Sequence, residues 1–172
     1  GRPSWSVEVA CKPEFRDAEA DRVVHEAHGL GIDGGLAARV AQMYWIEGDL
    51  TDEEARRLAR ELLADPISQV HALEGDVVDV GDADGWVAEA HFKPGVTDSV
   101  GESVIKGAKV LGIEGITRAA TGHKTYLLGD LDEDTASHIA NRILINDVVQ
   151  TCDLRRVWSA SGSDSVQTFQ HG

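Results

Sequence analysis

Apolar positions along this chain recur with two periods. Val23, Ala27 and Leu30 stand at i, i+4 and i+7, the stripe of a helix that buries one face. Val104, Ala108 and Leu111 repeat that stripe. Ala55, Leu58, Ala59 and Leu62 make a second helical face, matched by Ala136, Ile139, Ala140 and Ile143. Between these helices the pattern becomes extended or alternating. It predicts strands over 6–11, 38–47 and 67–73, and again over 86–92, 121–128 and 148–154. The punctuation agrees with this order. Lys12-Pro13 and Lys93-Pro94 end the opening strands, because proline cannot donate to a sheet ladder. Asp17 and Asp98 suit helix N-caps, and Gly31 and Gly112 stop the first helices. Acidic residues at Asp52–Glu54 and 132–134 favour the N-terminal turn of the second helices.

The two halves of this pattern are one pattern at a constant offset of 81 residues. Leu30-Gly31-Ile32 returns as Leu111-Gly112-Ile113, and Gly48-Asp49-Leu50 as Gly129-Asp130-Leu131. Without a gap from Glu8/Glu89 to Leu73/Leu154, 19 paired positions are identical. That period is too long for a solenoid, so the chain reads as a duplicated small domain. The expected fold is α+β: two tandem β-α-β-α-β repeats with antiparallel sheets and helices on one side, forming a pseudo-twofold unit. A middle strand that bends into two would make each repeat ferredoxin-like. Repeat 1 spans 6–73, an acidic linker 74–85, repeat 2 86–154, and a tail or linker to a further domain 155–172. Trp158 and Phe169 are candidate anchors for a docked tail. Gly1 is not an initiator, and the chain reads as a piece of a longer polypeptide.

Composition narrows the classes. With 172 residues and 42% hydrophobic content the chain is expected to be an ordinary soluble globular protein. No apolar run approaches a membrane span and no secretory signal pattern opens it. A net charge of −14 argues against nucleic acid and anionic membranes as partners. Lysine is scarce, which accords with either adaptation to high salt or an Arg-favouring codon bias with a solubilising surface. Cys11 and Cys152 fall at non-equivalent positions and read as two free thiols in a cytoplasmic protein.

Candidate chemistry is sparse. His25, Glu26 and His28 share a helix, but nothing is placed to complete a metal site, and a solvated face explains them. His123 and Lys124 are adjacent on a strand and point to opposite faces, so they do not converge. No phosphate-binding glycine pattern and no nucleophile elbow occurs. The sequence therefore assigns no catalytic and no metal-binding residues. Lys12 and Lys93, in their turns, are candidates for contact with an anionic ligand or a partner.

The opening strand followed by Lys-Pro-Gly-Val-Thr-Asp (93–98) carries a family likeness. So do Leu-Gly-Ile-Glu-Gly (111–115) after the first helix and the closing Leu-Ile-Asn-Asp-Val-Val-Gln (144–150). With Leu-Leu-Ala-Asp-Pro-Ile (62–67) in the first copy, this set resembles the PurS family over about residues 6–154. The tandem form is similar to the N-terminal region of synthases in which PurS is fused to the large PurL subunit. The first copy departs from the motif, with Glu14-Phe15-Arg16 where Gly-Val-x is expected. The resemblance implies the small subunit of phosphoribosylformylglycinamidine synthase, a glutamine amidotransferase complex and ATP-dependent C–N ligase of purine biosynthesis. It implies a non-catalytic scaffold that joins glutaminase and synthetase parts and helps enclose the ammonia path. The implied partners are a PurL synthetase body, fused downstream, and a PurQ-type glutaminase, with a homo-oligomer possible. ATP and Mg would be used by the synthetase body and no cofactor by this chain. Partner contacts would fall on Lys93, Pro94, Asp98, Lys12 and His123. The competing reading is an ACT-like regulatory module that senses a small metabolite at the repeat interface. A third reading is an independent small enzyme using His123 or His25/His28.

Overall fold

A computed structural model describes residues 4–32 and 34–157, and the backbone of 166–169. Trp158 lies outside the described residues. The element order is β1 (Ser4–Cys11), α1 (Ala18–Gly29), β2 (Ala37–Gly48), α2 (Asp52–Leu58), β3 (Gln69–Leu73), β4 (Gly85–Phe92), α3 (Ser99–Val110), β5 (Ile116–Leu128), α4 (Glu133–Ile139), β6 (Gln150–Arg156) and β7 (Val166–Phe169). Among the described residues the fold is α+β with antiparallel strands and four α-helices. No helix among the described residues is long and apolar enough to cross a membrane.

Local chemistry sets the helix ends. Asp17 and Asp98 cap α1 and α3, each carboxylate accepting from a backbone N–H three residues on. Gly31 and Gly112 follow with φ of +84° and +82°, the left-handed conformation that glycine adopts without strain. Thr51 and Glu54 form a reciprocal capping box on α2. Asp132 caps α4 and accepts from Thr135 N at 2.8 Å. Both α2 and α4 then widen into a π-helical turn, Ala59–Leu63 and Ala140–Leu144. In each, an i→i+5 bond closes the end, Ala64 N to Ala59 O and Ile145 N to Ala140 O.

The chain forms two compact units. The first comprises Gly1–Arg16, Ala41–Val78 and Thr97–Gly122. Its strands run in the order β3-β1-β2-β5. Val7 pairs with Tyr44 on one side and Leu73 on the other, both antiparallel. Alternation along β1 sends Trp5, Val7 and Val9 into a core with Ile46, Leu50 and Leu58. Val104 and Ala108 of α3 complete that core.

The second unit comprises Asp17–Val40, Asp79–Val96 and His123–Gly172. Its order is β2-β5-β4-β6-β7. Trp86, Ala88, Leu127, Cys152 and Leu154 pack under Ile139 and Ala140, and Val23 and Ala27 of α1 complete the core. The Trp86 indole N–H donates to Leu131 O at 2.9 Å, so this large ring is buried without leaving its polar atom unsatisfied. Helix α1 thus packs in the unit that holds β4 and β6, and α3 in the unit that holds β1 and β3. Compact units and sequence repeats are different divisions of this chain.

The structure shifts several predicted boundaries. Strand β5 begins at Ile116, five residues before the predicted start, and neither β2 nor β5 breaks in two. The third strands start later, at Gln69 and Gln150, and β6 runs on to Arg156. Residues 66–68 and 147–149 are turns. Asp65 Oδ1 accepts from Ile67 N while Gln69 Oε1 accepts from Asp65 N, and Asn146 and Gln150 repeat both bonds. The polar rings fix the turns and leave Ile67 72% exposed. Within the predicted tail, Val166–Phe169 pairs with Arg155–Cys152.

Candidate functional site

Lys12 and Lys93 close equivalent turns. Phe15 N donates to Lys12 O and Val96 N to Lys93 O, and the backbone N–H groups of Lys12 and Lys93 donate to Ser68 O and Val149 O. The turns differ at their third residue. Gly95 has φ of +83°, as a type II turn with proline second requires, whereas Glu14 has no positive φ. The departure noted in the first copy is therefore a change of turn geometry. The Lys12 ammonium donates to Pro66 O at 3.0 Å. Lys93 is half-buried and Pro94 exposed.

Asp98 is heavily engaged within its own unit. Its carboxylate accepts from Gly101 N at 2.9 Å, from Thr121 N at 2.6 Å and from the Thr121 hydroxyl at 3.0 Å. It joins the start of α3 to the middle of β5. Asp17 caps α1 in the same way through Ala20 N at 3.0 Å. At the position equivalent to Thr121 the chain has Val40, which offers no hydroxyl.

His123 lies on β5 near Glu19 and Arg22 of α1. Burial holds its imidazole below the ordinary value of 6.5, while Glu19 opposes that shift. Glu19 itself is held low, first by its hydrogen bond to Arg22. Arg22 also pairs with Glu26. Lys124, the next residue, is buried at 6% exposure. His123 and Lys124 are successive strand residues and face opposite ways. His25 and His28 are exposed on α1.

Within the second unit, pleating assembles a group that the sequence reading missed. Glu89 of β4 sits directly across from Asp153 of β6, and His91, two residues along, shares their face. His91 Nε2 is 3.6 Å from Asp153 Oδ2 and 3.9 Å from Glu89 Oε2. One ligand atom from each lies within 4.8 Å of the others, and all three side chains are half-buried. The neighbouring Cys152 thiol is pushed up to about 12, first by burial and then by Asp153 and Glu89. The thiol is buried and held protonated, so it is a poor nucleophile. Glu-x-His on a predicted strand was legible at 89–91. Its partner stands 64 residues beyond Glu89 and needed the β4–β6 register.

The five residues proposed for partner contact do not converge on one site within either unit. Lys12 and Asp98 belong to the first, and Lys93, Pro94 and His123 to the second. Compared with protein-family models the chain matches none, and no curated protein matches it in sequence.

Proposed function

We propose that this chain is a tandem PurS-like scaffold of phosphoribosylformylglycinamidine synthase. In this reading two β-α-β-α-β repeats form a pseudo-twofold object in the cytoplasm. It holds a PurL-type synthetase body, which uses ATP and Mg, against a PurQ-type glutaminase, and it helps enclose the ammonia that passes between them. The observation that carries the proposal is the pair of matched turns. The two segments of the family likeness, 62–67 and 144–150, enter the same side-chain rings, Asp65 with Gln69 just beyond the first segment and Asn146 with Gln150. Each ring also lies beside the Lys-Pro turn of its own repeat through the Ser68 and Val149 carbonyls. Two copies of one backbone solution at a fixed sequence offset are what a fused dimer of small subunits requires.

The test is binding of the full chain to a PurL-type body and to a PurQ-type glutaminase, followed by sedimentation. The expected result is a complex containing all three, weakened by Lys93→Glu. Free sedimentation of the chain in the presence of both would remove the proposal.

A further inference from the structure

From the geometry of β4 and β6 we propose a divalent transition-metal site, of the zinc class, formed by Glu89, His91 and Asp153. The site is independent of the scaffold reading. Two carboxylates directly opposite each other on antiparallel strands repel, and such like-charge pairs destabilise a sheet. His91 shares their face, and a divalent cation held by all three side chains would offset this repulsion.

The donor set fits zinc: one imidazole nitrogen and two carboxylate oxygens, each with a preferred metal distance of about 2.0–2.2 Å. Around a tetrahedral ion such atoms lie roughly 3.4 Å apart. The observed separations from His91 Nε2 are 3.6 Å to Asp153 and 3.9 Å to Glu89. The Glu89 and Asp153 ligand oxygens lie within 4.8 Å of each other, and rotation of the two carboxylates would bring all three donors around one ion. Backbone pairing from Trp86/Arg156 to Phe92/Gln150 fixes the strands beneath all three residues, so the ligands start from a rigid base. Three protein donors leave a coordination position for water or an incoming ligand.

The experiment is calorimetric titration of the chelator-treated full chain with zinc alone, supported by the visible spectrum of the cobalt form. The site predicts one ion per chain. It also predicts affinity lowered at least about tenfold by His91→Ala and by Asp153→Asn. His91→Gln serves as a second variant, with circular dichroism confirming that each is folded. The rival zinc ligands are the exposed His25 and His28, one helical turn apart on α1. Binding should survive the double substitution His25→Ala/His28→Ala. No binding by the native chain would overturn the proposal. So would binding that depends on His25 and His28 and ignores His91.

Discussion

At the scale of single residues, Asp98 and His123 show how a predicted contact residue acquires a structural role. Asp98 was legible as an N-cap. Its bonds to Thr121 were not, because they join positions 23 residues apart through the packing of α3 on β5. Removing it costs the cap, about 1–2 kcal/mol, and leaves the buried Thr121 N–H without this acceptor. Asp98→Ala should therefore destabilise the chain by more than Asp17→Ala, whose carboxylate has the cap bond alone in common with it. Urea unfolding of the two variants measures the difference. His123 gives a pH dependence with a definite sign. Its folded value lies below 6.5 because burial disfavours the charged ring, and Glu19, Arg22 and His91 act on it electrostatically. Below 6.5 the unfolded chain takes up a proton that the native ring refuses. Stability should fall as pH drops from there towards the folded value, with a slope of at most about 1.4 kcal/mol per pH unit. His123→Gln should flatten that segment of a stability–pH curve.

At the scale of elements, periodicity and punctuation gave the order of helices and strands, and the misplacements have physical causes. Thr117, Arg118, Ala119 and Ala120 lack alternating apolar residues, so the start of β5 was invisible. Its first residues are tied instead to Glu47, through the Thr117 hydroxyl at 3.2 Å and Arg118 at 3.5 Å. Ile67 and Val148 are apolar and were read as strand, yet side-chain rings hold them in turns. The π-helical turns carry no sequence signal of their own. The trio of Glu89, His91 and Asp153 was illegible for a related reason: a register is a long-range fact. Helix α3 supplies a sharp test of packing at this scale. A Cβ added at Gly101 would stand 2.2 Å from Ala119 O, a backbone atom that cannot rotate away. Gly101→Ala should lose about 1–3 kcal/mol despite alanine's higher helix propensity. A thermal melt showing equal or greater stability would contradict this placement of α3 in the first unit.

At the scale of the whole molecule, neither core is built from one half of the sequence alone. A repeat of roughly 70 residues is too small to bury a generous core of its own. In the first unit Val104 and Ala108 of α3 pack with the side chains of β1, and in the second Val23 and Ala27 of α1 pack with those of β4 and β6. Covalent fusion keeps both borrowed helices at hand. The sequence carries matching residues at an offset of 81, but it did not reveal this placement of the helices, since a helical stripe records that a face is buried and not against what.

The scaffold function makes a direct kinetic prediction. Synthase turnover by a PurL-type body and a PurQ-type glutaminase would be followed with glutamine, and then with ammonia, in the presence and absence of this chain. The chain should restore glutamine-dependent turnover while ammonia-dependent turnover hardly changes. Equal glutamine-dependent rates with and without it would rule out the scaffold function.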